Sequence, residues 1–336
     1  MFAKKEEDGP LLKKTPQIID RIRSLMKYET AGDPMTGLKW TRKATRKISD
    51  ELMREGILAS DKWVGSMLKD LGYSLQANRK RIALSGNGSL KQRTERDLQF
   101  RHICRMRERF ARKREPTISV DTKKKELIGN FKNPGRVWRD RSCDVADHDF
   151  PSYALAKIIP HGIYDPIANE GTVSIGLSHD TAAFAVDSIC AWWENYGSQR
   201  YPHARRILIL ADNGGSNSPS NAAWLYHLWH DFGQQYKLKV TVCHYPAGAS
   251  KWNPIEHRLF SEISKNWAGV PLINLQTALK YIRTTKTETG LKVTATVNRK
   301  HYPLKEHISD ILLQAQVLIK RYHLFPKLNY TLYPAN

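Results

Sequence analysis

Sulfur and acid are both scarce in this chain. Its only cysteines are Cys104, Cys143, Cys190 and Cys243, widely spaced and without a C-x-x-C pair. Neither a zinc site nor a disulfide framework is indicated, and reduced structural thiols are expected. No apolar stretch approaches the length of a membrane span, and the opening Met1-Phe2-Ala3-Lys4-Lys5-Glu6 lacks the apolar region of a signal peptide. A cytosolic protein with no membrane partner is therefore expected. There is no G-x-x-x-x-G-K-[ST] phosphate loop, no G-x-S-x-G elbow and no H-E-x-x-H helix, so neither ATP nor a covalent serine is expected to drive its chemistry. No internal repeat is visible, and only Ser85-Gly86-Asn87-Gly88-Ser89 approaches low complexity.

The shortage of acid is a surplus of base. Lys plus Arg number 54 against 33 Asp plus Glu, a formal charge of +21, which points to a polyanionic partner or to a basic solvated surface. About +13 of that excess lies before residue 116, so the front of the chain is the expected docking surface for phosphates. With 336 residues and 40% hydrophobic content, the chain can build a real core and more than one domain.

Periodicity divides the chain in two. Residues 16–28 read as a helix with Ile18, Ile19, Ile22, Leu25 and Met26 on one side. A second helix is expected from Thr41 to the stop at Gly56, with Ala44, Ile48 and Leu52 at four-residue steps. A third, capped by Ser60, sets Trp63, Val64, Met67, Leu68 and Leu71 on one stripe. The last two form a helix-turn-helix candidate, or an ordinary helical hairpin. In the first case Lys62, Ser66 and Lys69 would face DNA. From Arg79, Lys80 and Arg81 a basic linker runs to a helix with Phe100, Ile103, Met106 and Phe110 on one side. Its other side carries Arg101, Arg105, Arg109 and Arg112, a phosphate-binding stripe or a solvated face.

Beyond residue 116 the pattern is strand-rich. Strands are expected at 117–121, 157–164, 172–177, 206–211 and 238–244, and helices at 181–196 after an Asp180 cap, 219–235 and 254–267. This order describes an α/β domain with a five-stranded mixed sheet flanked by helices. The expected boundaries are a helical region 1–78, a basic linker and helix 79–115, an α/β domain 116–270 and a C-terminal extension 271–336.

Three carboxylates stand out in that frame. Asp121 and Asp212 each close a β-branched apolar run, and Glu256 lies just inside a helix that follows Asn253-Pro254. If the two strands are parallel neighbours, both aspartates face the crevice at their carboxy ends. Brought together, the three would hold two divalent cations, as phosphodiester chemistry requires. Each has a plainer reading: an aspartate after a strand is often a turn former, and Asn253 with Glu256 three residues on is the capping-box spacing. His244 and His257 are candidates for metal or phosphate, or satisfied structural groups. Lys123, Lys124 and Lys125 could hold phosphates or be a solvated run, and Glu126 is a spare carboxylate beside them. Phe184, Trp192 and Trp193 read as core.

The chain resembles the Rhodopirellula-type DDE transposases of bacterial insertion sequences. The resemblance rests on Gly32-Asp33-Pro34-Met35, on residues 71–80 (Leu71-Gly72-Tyr73 to Lys80), on residues 118–127 (Ile118-Ser119-Val120-Asp121 to Leu127), on Cys243-His244-Tyr245-Pro246, on Ser250-Lys251-Trp252-Asn253 and on Ile255-Glu256-His257-Arg258-Leu259-Phe260. It runs from about Gly32 to the carboxy terminus. It implies a ribonuclease-H-like catalytic domain with Asp121, Asp212 and Glu256 as the acidic triad holding two Mg2+ or Mn2+ ions, preceded by a helix-turn-helix that binds terminal inverted repeats. Target DNA, a homo-oligomer on paired ends and a place at the bacterial nucleoid follow from the same resemblance, with Lys251 among the DNA contacts and His257 and Asn213 as auxiliary residues. Pro254 stands where a basic residue is expected and Asn213 where glycine is. The amino terminus is expected to be short for the family.

Overall fold

The computed structural model describes residues 16–27, 30–32, 39–41, 45–71, 90–137, 144–147, 151–304, 306, 308–309 and 317–335. Arg79, Lys80 and Arg81 lie outside them. The chain divides into two compact units, Met1–Arg81 and Ile82–Asn336.

The first unit contains α1 (Pro16–Lys27), a two-stranded sheet of β1 (Thr30–Gly32) and β2 (Lys39–Thr41), α2 (Thr45–Arg54) and α3 (Asp61–Asp70). Thr41 ends a strand rather than starting a helix. The later helix start still leaves Ile48 and Leu52 buried, packed with Ile22, Ala59, Trp63, Val64 and Met67. Ser60 caps α3 by accepting the Trp63 N–H at 3.2 Å, and Gly56 takes the left-handed φ of 81° that ends α2. The Ser49 hydroxyl donates to the Ala59 carbonyl at 2.6 Å, closing the turn between the two helices.

The second unit is built on one sheet. Its elements are α4 (Leu90–Arg112), β3 (Thr117–Thr122), β4 (Glu126–Ile128), β5 (Ala156–Asp165), β6 (Glu170–Gly176), α5 (Ala182–Trp192), α6 (Ser198–Arg200), β7 (Arg206–Ala211), α7 (Ala222–His227), β8 (Lys239–His244), α8 (Ser261–Asn266), α9 (Leu275–Arg283), β9 (Lys292–Asn298), β10 (Leu318–Arg321) and β11 (Asn329–Tyr333). The five expected strands lie in the order β6-β5-β3-β7-β8, with β5 antiparallel to its neighbours and β3, β7 and β8 parallel. This is the ribonuclease-H-like arrangement. Four further strands enlarge it: β9 joins beside β6, β11 and β10 beside β8, and β4 pairs with β5. Residues 271–336, expected as an extension, thus supply three strands of the same sheet.

Pleating sorts the side chains. Ile118, Val120, Ile207, Ile209, Val240 and Val242 share a core with buried Trp192 of α5, Trp193 just after it and Trp224 of α7. Leu208, Leu210 and Cys243 lie on the opposite face under Ile103, Met106 and Phe110 of α4. The helix expected after the basic linker is therefore a core helix packed by its Phe100, Ile103, Met106 and Phe110 side, and Arg101, Arg105, Arg109 and Arg112 remain exposed on it. A buried amide pair locks the helix down: Gln99 donates to the Asn329 carbonyl oxygen at 2.8 Å and accepts from its amide at 2.7 Å.

All three helices expected after residue 180 contain a π-helical stretch, at Trp193–Gly197, Leu228–Gln234 and Glu256–Phe260. The cap of α5 is Thr181, which accepts the Phe184 N–H at 3.2 Å, and not Asp180. Among the described residues no helix is long and apolar enough to cross a membrane.

Candidate active site

Strand parity places the two aspartates. Thr117, Ser119 and Asp121 share one face of β3, while Ile118 and Val120 go into the α5 core. β3 and β7 run parallel with Thr117 beside Leu208, Ile118 beside Ile209 and Ser119 beside Leu210. Carrying that register two residues further sets Asp121 beside Asp212, on the same face and at the carboxy ends of both strands.

Buried hydrogen bonds fix the backbone of Asp212. Its carbonyl accepts from His244 Nδ1 at 2.7 Å. The Trp224 indole N–H donates to the Tyr330 hydroxyl oxygen at 2.9 Å, and that hydroxyl is 3.1 Å from His244 Nε2. Because Nδ1 faces a carbonyl it carries the ring proton, so Nε2 accepts from Tyr330 and the chain of donors runs one way. Trp224, Tyr330 and His244 are fully buried, and burial pushes the His244 pKa down to about 4, leaving the ring neutral. His244 is thus a structural support, and both its nitrogens are engaged. The left-handed turn after the strand falls on Gly215, with φ 63°, rather than on Asn213, which is half-buried in an ordinary backbone conformation. The Gly214 N–H donates to the Asp212 carboxylate at 3.3 Å.

Glu256 reaches the same place by a different route. The side chain of Asn253, fully buried, accepts from the Ser119 hydroxyl at 2.5 Å and donates to the Val120 carbonyl at 3.2 Å. Ser119 Oγ in turn accepts the Ile255 N–H at 3.1 Å. No capping box forms: the helix start has no side-chain cap, and the Asn253 N–H is taken by the Ser250 carbonyl at 2.7 Å. A cap is worth about 1 kcal/mol, whereas each buried amide group left unpaired costs about 1–3 kcal/mol, so the tether to β3 wins. It ties the start of the Glu256 helix to the two residues that precede Asp121.

Bare backbone lets that helix come close. Gly162 of β5 is the registered partner of Asp121, and a Cβ there would lie 2.5 Å from the Phe260 ring and 2.9 Å from Ile255. A Cβ on Gly171 of β6 would collide with Leu259. The apolar side of the helix, Ile255, Leu259 and Phe260, therefore presses onto the sheet and leaves Glu256 at the Asp121 edge. No local signal in the sequence marks Ser119, Gly162 or Gly171 for these roles.

The three carboxylates lie near enough to act on one another. The Asp121 carboxyl, 8% exposed, accepts the Thr122 N–H at 2.7 Å. Burial, then the charges of Asp212 and Glu256, push its pKa up to about 8. Asp212 is raised as well, by burial above all, with Glu256 and Asp180 adding to the rise while the Gly214 N–H opposes it. Asp180 joins the cluster through Thr122, whose hydroxyl donates to it at 3.1 Å.

Crowded, half-desolvated carboxylates that hold protons against water are a site short of positive charge. Every donor is a hard oxygen, the set that Mg2+ and Mn2+ prefer. Among the described residues no three His, Cys, Asp or Glu side chains close around one point to hold a single ion. A pair of ions sharing Asp121 needs only two of these carboxylates each, and Mg2+ keeps several waters.

The remaining expected residues separate. Lys62, Ser66 and Lys69 are exposed on α3, and Lys124 and Lys251 are exposed in the second unit. Lys123 is not part of that cationic surface: its side chain is only 10% exposed, paired with Glu126 at 2.5 Å and set 4.7 Å from the centre of the Trp267 ring. Glu126 is correspondingly spent on Lys123. His257 is exposed and lines a depression with Asn169, Glu262 and Lys286.

The sequence matches the family model of the Rhodopirellula transposase DDE domain over residues 21–334. No curated protein matches it. Among solved structures it is similar to the Mos1 transposase paired-end complex with left transposon end, at TM-score 0.43 and 14% identity over 83% of this chain and 73% of that one. The Mos1 strand transfer complex is similar at TM-score 0.44 and 14% identity, over 83% and 72%. A family match along nearly the whole sequence, over strands that set Asp121 beside Asp212, places this chain among the Rhodopirellula-type DDE transposases.

Proposed function

We propose that the chain excises and joins the ends of a bacterial insertion sequence, with Asp121, Asp212 and Glu256 holding two Mg2+ or Mn2+ ions. The observation that carries this reading is the β3–β7 register that levels the two aspartates, together with the Asn253 tether that brings the Glu256 helix to Ser119 and Val120 beside Asp121. Asp121, Asp212 and Glu256 would hold the ions between them, with Asp121, the most buried of the three, as the shared ligand. When bound, such ions lower the charge on the scissile phosphate and favour the deprotonated attacking oxygen. The protein's own part is to fix three carboxylates on one rigid face, so that little reorganisation accompanies reaction. A water oxygen displaces the 3′-oxygen at the element end, and the freed 3′-hydroxyl then attacks a target phosphodiester in line. Each step forms one P–O bond and breaks one, so neither ATP nor a covalent protein intermediate is needed.

α2 and α3 would bind terminal inverted repeats as a helix-turn-helix through the exposed Lys62, Ser66 and Lys69. Arg101, Arg105, Arg109, Lys124 and Lys251 are exposed and suited to phosphates; Arg79, Lys80 and Arg81 join them on sequence grounds alone. Two ends must be processed together, which calls for a homo-oligomer on DNA at the bacterial nucleoid.

Asp121→Asn, Asp212→Asn and Glu256→Gln should each abolish cutting while leaving binding to end DNA nearly unchanged. Labelled end DNA, a target plasmid and Mg2+ separate the rivals. Joined product supports a transposase, cut product alone means a nuclease that only hydrolyses, and binding with neither means a catalytically silent DNA-binding protein or repressor.

A further inference from the structure

The turn that carries Asn253 to β3 also holds up a tryptophan. Trp252 is 58% exposed, whereas Trp63, Trp192, Trp193, Trp224, Trp229 and Trp267 are all buried. An indole left in water forgoes the largest apolar burial any side chain offers, so its position calls for an occupant. Trp252 is not held out by slack chain. Its N–H donates to the Ala249 carbonyl at 2.9 Å, and the next residue, Asn253, is fully buried and bonded to Val120 and Ser119.

Aromatic contacts fix the ring from below. Tyr245, buried at the end of β8, packs against the Phe100 ring of α4 at 5.9 Å, and Phe100 meets Trp252 edge-on at 6.1 Å. The series runs from the sheet core through a half-buried ring to an exposed one. Lys251 Nζ lies 5.5 Å from the centre of the Trp252 ring, and Arg101, next to Phe100, is exposed. A rigid flat ring with a lysine over one side of it, four residues before Glu256, has the composition of a base-stacking platform whose other side is open. A neutral apolar partner would not call for a lysine there.

Resting on the transposase reading above, we propose that Trp252 stacks an unpaired nucleobase beside the scissile phosphate, with Lys251 on the adjoining backbone phosphate. The site would then act on DNA locally opened at the cut rather than on an intact duplex.

The test uses the full chain and a short forked DNA with 2-aminopurine in its unpaired arm, alongside the same fork with an abasic position there. The wild type should quench 2-aminopurine fluorescence on binding. Trp252→Ala should lose the quench and bind the fork about ten- to a hundred-fold more weakly, while matching the wild type on the abasic fork. Trp252→Phe should restore part of both, and Lys251→Ala should weaken binding to either fork while keeping the quench. Because Trp252 is exposed, thermal midpoints should not move. Binding without quench, or an equal loss on both forks in Trp252→Ala, would overturn the stacking assignment while leaving the carboxylate chemistry standing. Failure of the wild type to bind any fork would count against the nucleic-acid reading as a whole.

Discussion

On one side of Asp121 the sheet holds Asp212 through a one-way chain of buried donors from Trp224 through Tyr330 and His244. On the other it holds Glu256 through an amide tether and a bed of glycine backbone. The two modes differ in what they tolerate. A hydrogen-bond chain fails by leaving polar atoms unpaired, at about 1–3 kcal/mol each, and its geometry can be partly recovered by water. A helix pressed on bare backbone fails by collision, because the Ile255, Leu259 and Phe260 side chains that meet the glycines are themselves buried and have little room to turn. The Glu256 side should therefore be the more brittle of the two.

Gly162→Val is the strongest way to break the comparison. Its side chain would occupy the space of Phe260 and Ile255, so DNA cutting should fall by more than about a hundred-fold and stability by about 1–3 kcal/mol or more. Cleavage kinetics and thermal denaturation read both. Next comes Asn253→Ala, which strips the Ser119 hydroxyl and Val120 carbonyl of their partner. About 1–3 kcal/mol of stability should be lost, with a fall in cutting that Asn253→Asp does not fully restore, because a carboxylate cannot donate to Val120. Tyr330→Phe should cost a similar stability but less activity, since His244 still donates to Asp212. Should Tyr330→Phe prove the more damaging to cutting, the proposed asymmetry is wrong.

The mildest expectation concerns pH. Asp121 has a folded pKa near 8 against an ordinary 3.8. Between those values the folded metal-free protein keeps a proton that the unfolded chain has released, so stability should fall as pH rises from about 4 to about 8 and level off above. Asp121→Asn should flatten that slope, and Mg2+ should stabilise the wild type more at pH 8 than at pH 6. Thermal midpoints across the pH range, with and without the cation, are the measurement. A slope in Asp121→Asn equal to that of the wild type would place the titrating group elsewhere.

Much of this site is legible in the sequence. β3 and β7 are apolar runs that stop at an aspartate, and two parallel strands with that ending need only a register to bring the acids together. Asn253-Pro254 announces a helix start, which locates Glu256. The role of Asn253 is not legible, because its spacing to Glu256 suits a cap and its true partner, Ser119, lies 134 residues away. Asp180 and Thr181 are adjacent residues of equal capping chemistry, so sequence cannot say that Thr181 caps α5 while Asp180 turns to Thr122. Lys123 looks like one of three equivalent lysines, and only the fold pairs it with Glu126. The added strands divide by signal. β9, Lys-Val-Thr-Ala-Thr-Val-Asn over Lys292–Asn298, carries a period of two that could have been read, whereas Leu318–Arg321 is too short to show any.

Crystals grown or soaked with Mn2+ and measured for anomalous scattering give the most direct test of the central claim. Two peaks should appear at the carboxy ends of β3 and β7, both bound by Asp121, one also by Asp212 and the other by Glu256. A map without peaks there, or with peaks on other side chains, would contradict it.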